Sequence, residues 1–381
     1  MRIDRFHVEH LRCLGRVELE LAGRSAWLTG PNGAGKTSLL EALCLLGYGR
    51  SFRARPGQGL IQRGKTALEV VAHWRDGTGQ GHVSGLRHGG EHWTARRDGE
   101  ALSTLGGLAE GFPVLCFHPA SSALAQGPAE ERRRALDWLV FHLEPGFSSL
   151  ARRYARALRQ RNALLRSGAP DAEFEPWEQE LGRCAHAMTR QRAAAAGYLE
   201  QALAAVWPRL REDSPPPLGL RPGWRAEDSA LEDLLLLNRS RDRELGYTTI
   251  GPHRADLQFG EAFGVPPEHW SRGQAKLVAL ALCLAQAEAL REARGLTSLL
   301  LFDDLGAELD AGHLGRLLHW LARAPYQCLV TGTGLPAACP AEAARWPVFH
   351  VEQGGVRPLS AQLAAPVTAP DAAPPPGGQG V

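Results

Sequence analysis

The residues Gly30-Pro31-Asn32-Gly33-Ala34-Gly35-Lys36-Thr37, with Ser38 behind them, have the composition and spacing of a phosphate-binding loop. Glycines let consecutive backbone N–H groups curve around phosphate oxygens without Cβ clashes, and a helix starting at the lysine adds a favourable dipole. Lys36 would neutralise the β- and γ-phosphates and Thr37 would offer its hydroxyl to Mg²⁺. An idle glycine-rich turn is the plain alternative. Against it stands a compositional fact: only Lys36, Lys65 and Lys276 are lysines among 43 basic residues, so a compact ammonium is kept where arginine is otherwise used.

Two further constellations complement the loop. Leu299-Leu300-Leu301-Phe302 followed by Asp303-Asp304 is a short apolar strand ending in carboxylates, which places Asp303 to hold Mg²⁺ and Asp304 to orient or deprotonate an attacking water. Trp270-Ser271-Arg272-Gly273-Gln274 opens a long apolar helix and presents a second positive helix end. Read alone, the pentapeptide is an ordinary helix cap. One nucleotide does not need two such helix starts from one chain, so the second is expected to serve a neighbouring molecule. Glu308 and Asp310 follow the acidic strand and would order the shared seam.

These motifs need elements to hold them. From Arg2 to Leu21 apolar and polar residues alternate, as in two half-buried antiparallel strands joined near Gly15. Ala26 to Leu28 leads as a strand into the glycine-rich loop, and Ser38 to Leu46 reads as the helix after it. Strands fit Leu68 to Trp74 and Val114 to Phe117, and Leu299 to Phe302 reads as a buried parallel strand. Between Ala129 and Leu210 the period becomes helical, with Leu150, Tyr154, Leu158 and Leu165 on one face. Pro215 to Pro222 reads as a loop, Thr248 to Phe259 as strand-like, and Gln274 to Ala293 as an apolar helix. The expected division is residues 1–128 and 241–363 as a head, 129–240 as an inserted helical lobe, and 364–381 as a disordered Pro/Ala/Gly tail.

Composition bounds the rest. With 381 residues, 43 basic against 41 acidic, the net charge of +2 excludes a polyanion binder driven by bulk charge. A nucleic-acid surface would have to be local. Seven scattered cysteines indicate neither a disulfide framework nor a zinc site. Apolar runs too short to span a bilayer, and a charged N-terminal segment, point to a cytoplasmic protein with no membrane partner.

With all three motifs in order, the chain resembles the ABC-type ATPase heads of the SMC class and, more closely, the RecF family of bacterial recombination proteins. The carrying residues are Gly30 to Ser38, Tyr154 to Leu165 (YARALRQRNALL), Thr248 to Asp256 (TTIGPHRAD), Ser271 to Leu277 (SRGQAKL), Leu300 to Asp310 (LLFDDLGAELD) and Thr331-Gly-Thr333. The chain departs from the family at Leu11-Arg12, where Phe-Arg is usual, and loosely matches it over Phe117 to Arg134, where Ala120, Ser121 and Ser122 stand. The resemblance implies a mixed α/β head with a helical lobe, binding ATP with Mg²⁺ and hydrolysing it slowly as a conformational timer. It further implies a homodimer closed by ATP on double-stranded DNA near single-strand gaps, passing the site to a recombinase through RecO- and RecR-like mediators. Arg12 is carried over as nucleotide- or DNA-proximal. A transporter ATPase subunit, or a short SMC-like structural head, are the other classes. The first lacks support because Trp-Ser-Arg-Gly-Gln replaces the transporter signature, and the second because heptads and zinc-hook cysteines are absent.

For DNA, the arginines of the helical lobe are the candidates: Arg132, Arg133, Arg134, Arg152, Arg153, Arg156, Arg159, Arg161 and Arg166. Arg152, Arg156 and Arg159 share one helix face, suited to phosphate contacts without base readout. Arg254 is a further candidate. His253 beside it reads as a satisfied structural histidine, and the tryptophans as core.

Overall fold

The computed structural model describes residues 1–53, 59–227 and 229–359. The tail from residue 364 on lies outside them. Along the chain run β1 (Arg2–Glu9), β2 (Arg16–Glu20), β3 (Ala26–Thr29), α1 (Lys36–Tyr48), β4 (Leu68–Arg75), β5 (Gly81–His88), β6 (Trp93–Arg97), β7 (Glu100–Leu102), α2 (Leu105–Glu110), β8 (Val114–Phe117), α3 (Ala123–Gln126), α4 (Ala129–Leu143), α5 (Phe147–Ser167) and α6 (Glu175–Val206). Then follow β9 (Leu218–Arg221), α7 (Leu231–Leu237), α8 (Arg239–Leu245), β10 (Asp256–Phe259), α9 (Arg272–Arg294), β11 (Leu299–Phe302), α10 (Leu305–Glu308), α11 (Ala311–Leu321), β12 (Gln327–Gly332), α12 (Ala341–Ala344), β13 (Val348–Glu352) and β14 (Gly355–Pro358).

Two sheets enclose α1. One is antiparallel, in the order β2-β1-β4-β5-β6-β7; the other runs β14-β13-β3-β12-β11-β8, with every pair parallel except β13 with β14. The parallel strands are apolar on both faces because each face is covered. Leu299 and Leu301 pack into the core around α1, while Leu300 and Phe302 pack into a second core shared with the helices. A buried glutamine fastens the sheets together: Gln327 of β12 accepts from Ile3 N at 2.6 Å and donates to Ile3 O at 3.0 Å. Two amide hydrogen bonds to one backbone residue fix the relative placement of β1 and β12 and leave the buried amide satisfied.

The helical segment joins the head through α9, which packs along α6 and carries buried residues on nearly every side. By length and composition α9 is apolar enough to cross a membrane, contrary to the expectation that no stretch is; most of it is buried inside the fold instead. Two sequence expectations give way nearby. The Pro-rich stretch 215–222 contains a strand, β9, which pairs antiparallel with β10 from Asp256↔Arg221 to Phe259↔Leu218. Its prolines precede and follow the paired residues, so no ladder donor is lost. The stretch Thr248 to Phe259 is strand only from Asp256; Thr248 to Gly251 is irregular with a bend at Ile250 and Gly251, and Pro252–Arg254 is a 3₁₀ turn.

Candidate ATP and signature sites

The phosphate loop leaves β3 at Gly30 and enters α1 at Lys36, an order that points backbone N–H groups at the helix start. Gly30 has φ +152°, and a Cβ there would sit 2.1 Å from the Val351 carbonyl oxygen, so β13 closes on the loop only because the residue is glycine. Gly33 and Gly35, at φ +78° and +115°, complete the curved nest of N–H groups. Lys36 folds over the loop, donating to Gly30 O at 2.7 Å and Pro31 O at 2.9 Å. Burial lowers its pKa, opposed by the carboxylates of Asp304 and Asp303.

Opposite the loop, β11 delivers Asp303 as a buried carboxylate. Thr37 Oγ1 donates to it at 2.9 Å, and Thr331 Oγ1, from the adjacent strand β12, donates at 2.9 Å to the same oxygen. The Thr331 hydroxyl in turn accepts from Asp304 N at 2.8 Å, so one side chain orients both aspartates. Asp304 adopts a left-handed conformation, φ +54°, at the start of α10. Strain of this kind in a non-glycine residue is tolerated where the neighbours hold it, and here the Thr331 bond does so. The oxygen set of Thr37, Asp303 and Thr331 is hard and anionic, the chemistry Mg²⁺ prefers.

The signature residues Ser271, Arg272 and Gly273 are exposed at the start of α9 and Gln274 is half-buried. Ser271 Oγ accepts from Gln274 N at 3.2 Å while the Gln274 side chain accepts from Ser271 N at 2.7 Å, a reciprocal cap whose side-chain bonds stay within its own helix end. One turn on, Lys276 Nζ lies 2.8 Å from Glu308 Oε2, linking α9 to α10. Asp310 caps α11, accepting from His313 N at 2.9 Å, and this bond lowers its pKa further than its pairing with the His313 ring does.

Sequence reasoning missed the connector between the two sites. Asp303 N donates to Phe117 O at 2.8 Å, and from there the chain runs through the His118–Ser121 turn into α3. Burial lowers the His118 pKa, with the nearby Asp303 carboxylate opposing. Gln126, at the end of α3, donates to the carbonyls of Pro267 at 2.8 Å and Trp270 at 2.9 Å, immediately before Ser271. The loosely matching segment 117–134 is thus a physical link from Asp303 to the start of α9. Its altered side chains hid this; the glutamine ahead of the Gly-Pro of Gly127-Pro128 was the available signal.

Several arginine assignments change. Arg12, at φ +54°, is clamped bidentate on the buried Glu41 of α1 at 2.6 and 2.8 Å, so its guanidinium is engaged within the chain, while Cys13 beside it lies against Gly35 of the phosphate loop. Arg161 is fully buried and cannot meet DNA: it donates to Glu178 at 3.0 Å, Asp242 at 2.7 Å and Thr248 Oγ1 at 2.8 Å. Arg132 is held by Asp256 at 2.8 and 3.0 Å, Arg133 by Ala255 O at 2.7 Å, Arg134 by Glu130 and Glu131, and Arg153 by Glu180. Arg152, Arg156 and Arg159 remain exposed on α5 with no carboxylate partner among the described residues. Arg254 is exposed on its turn. His253 is structural as expected: Tyr154 OH donates to Nδ1 at 2.7 Å and Nε2 donates to Thr248 O at 3.0 Å, with burial taking its pKa down to about 4.

A phosphate loop facing a carboxylate strand, with a capped signature helix displayed to solvent, defines an ABC-type ATPase head. The comparisons agree. A family model described as "AAA domain" matches residues 5–94. The DNA replication and repair protein RecF of Xanthomonas axonopodis pv. citri is 46% identical over 367 residues, covering 93% of this chain and 98% of that one. That of Stenotrophomonas maltophilia is 44% identical over the same length, 93% of this chain and 99% of the relative. The chain therefore belongs to the RecF family of DNA replication and repair proteins, which sets aside the transporter reading. The fold matches the solved structure of the recombination mediator RecF with ATP at a TM-score of 0.83 and 22% identity, over 94% of this chain and 98% of that one. The Smc head domain of Pyrococcus furiosus matches at a TM-score of 0.57 and 15% identity, over 94% of this chain and 96% of that one.

Proposed function

We propose that this chain binds ATP and Mg²⁺ and that ATP closes two copies on duplex DNA near single-strand gaps, slow hydrolysis releasing them. Lys36 and the N–H groups of Gly30 to Ser38 hold the phosphates; Thr37 and Asp303 hold Mg²⁺, which would neutralise charge developing on the transferred phosphoryl group. Asp304, positioned by Thr331, orients the attacking water. Ser271, Arg272, Gly273 and Gln274 of the partner cap the γ-phosphate, and Glu308 and Asp310 order the seam. The observation carrying this reading is the exposure of Ser271, Arg272 and Gly273 at the start of α9, a second long-helix start in a chain whose phosphate loop already opens α1. Residues 1–128 and 241–363 act as the head and 129–240 as the arm bearing Arg152, Arg156 and Arg159, which meet phosphates. RecO- and RecR-like mediators receive the gap from the dimer, in the cytoplasm.

The experiment is ATP hydrolysis with and without DNA for the native chain and for Asp304→Asn. The native chain turns over slowly and faster with DNA, and the variant keeps ATP-dependent DNA retention while losing turnover. Retention lost together with turnover would contradict the timer role of hydrolysis.

A further inference from the structure

The turn Thr248 to Asp256, distinctive in sequence, takes no part in the nucleotide site, yet it forms one wall of a built notch. The other wall is the turn after β9. The two are stitched by Gly251 N donating to Gly223 O at 3.0 Å, and Gly223, at φ +84°, approaches so closely that a Cβ would lie 2.6 Å from Ala255 N. Trp224 is anchored from below, its indole donating to Thr189 Oγ1 at 3.1 Å. Tyr154, His253 and Thr248 support the second wall through the hydrogen bonds described above. Such a floor holds its rim residues in fixed relative positions.

The notch encloses about 580 Å³, with Arg221, Trp224, Arg225, Tyr247, Ile250 and Arg254 among its lining. Arg221, Arg225 and Arg254 are exposed, and among the described residues none pairs with a carboxylate. Arg254 reaches only Thr248 O, at 3.4 Å, and lies 5.1 Å from the centre of the Tyr247 ring. Tyr247 is 42% exposed. Free guanidinium groups alone would suit any phosphate or an acidic peptide. An exposed ring with a guanidinium against it adds a stacking platform, which neither a bare phosphate nor a run of carboxylates uses. Bases inside a duplex are already stacked on one another and cannot use it either.

We propose that this notch binds an unpaired nucleotide of single-stranded DNA, the base against Tyr247 and Arg254 and the flanking phosphates on Arg221 and Arg225. This rests on the DNA-binding reading above and deepens it: the arginines of α5 hold duplex without regard to strand state, and the notch supplies recognition of a gap. It also gives the Gly-Pro-His-Arg turn a reason for its rigidity, since a stacking platform discriminates only if it is preformed.

The test is fluorescence anisotropy with the full chain, ATP and Mg²⁺, on three labelled DNAs: continuous duplex, duplex with a gap of thymidines, and the same gap made of abasic nucleotides. The thymidine gap should bind at least about fivefold more tightly than the abasic gap, the low end of one base stacking on an aromatic ring. Tyr247→Leu should erase that difference and leave continuous-duplex affinity unchanged. Arg225→Ala should weaken both gapped DNAs and lower their salt slope by about one. Equal binding of thymidine and abasic gaps by the native chain, or a preference that survives Tyr247→Leu, overturns the proposal while leaving duplex binding intact. Hexaglutamate displacing gapped DNA when thymidine and abasic gaps bind alike would make the notch a protein-docking site and overturn it too. Failure to bind any of the three DNAs would remove the DNA reading itself.

Discussion

At the scale of single residues, the triangle Thr37, Asp303 and Thr331 decides what the nucleotide site can do. Asp303 is buried with two hydroxyl donors on one carboxylate oxygen, so its side chain is oriented by Thr37 and Thr331 together. Thr331→Val removes one donor to Asp303 and the acceptor for Asp304 N. Turnover should fall about tenfold or more, from a charge-assisted hydrogen bond contributing about 1.5–3 kcal/mol, with little loss of ATP affinity; steady-state hydrolysis beside nucleotide titration separates the two. Lys36→Arg keeps the charge but replaces a compact ammonium with a planar fork. Turnover should fall about a hundredfold, as for loss of one oriented donor, and ATP-driven dimerisation should fail; a mass measurement unchanged by the substitution would remove Lys36 from the site. The types and spacing of these residues were readable because phosphate chemistry fixes them. Thr331 was visible only as part of a Thr-Gly-Thr run, since its partners arrive through parallel pairing of β11 with β12, a long-range event no local spacing reports.

At the scale of elements, periodicity located most helices and strands, and its failures have physical causes. Arg161 was grouped with DNA arginines by charge alone, although its distance of seven from Tyr154 and four from Leu165 puts it on the buried stripe of α5. Burial there is tolerated because Glu178, Asp242 and Thr248 meet its donors and Phe174 lies 6.0 Å away. Arg161→Ala should destabilise the fold by about 3–5 kcal/mol, since buried Asp242 loses its cationic partner while Glu178 keeps Arg239, and the loss is read as a lower unfolding midpoint. β9 was hidden because its paired residues sit between prolines. Buried histidines impose a pH dependence with a definite sign. His142, packed on Trp138 and Phe141, has its pKa pushed down to about 3 by burial, and His253 down to about 4. Both are below the unfolded value of about 6.5, so the unfolded chain binds more protons between. Stability is therefore present in full above about 6.5 and declines as pH falls towards the folded values, and His142→Phe should flatten that decline in melts between pH 6.5 and 4.

At the scale of the molecule, the head displays its signature rather than using it. Asp303 N is bonded to Phe117 O, Gln126 further along that segment holds the Trp270 carbonyl, and Lys276 ties α9 to Glu308, so under the proposed mechanism a change at Asp303 has two short routes to the exposed start of α9. Gln126→Ala should leave ATP binding intact and weaken dimerisation. Overall architecture was legible in sequence because three motifs in order admit few folds; the connector was not, because its contacts are to backbone carbonyls that any sequence supplies. The central claim is that ATP makes the dimer through Ser271. Its most direct test is the mass in solution of the native chain and of Ser271→Arg, each with and without ATP and Mg²⁺ and again with gapped duplex DNA. A native chain that doubles its mass only with ATP and then retains DNA, beside a variant that stays monomeric while still binding ATP, is the expected result. A native chain that stays monomeric with ATP on gapped DNA, or a variant that dimerises as well as the native chain, would contradict it.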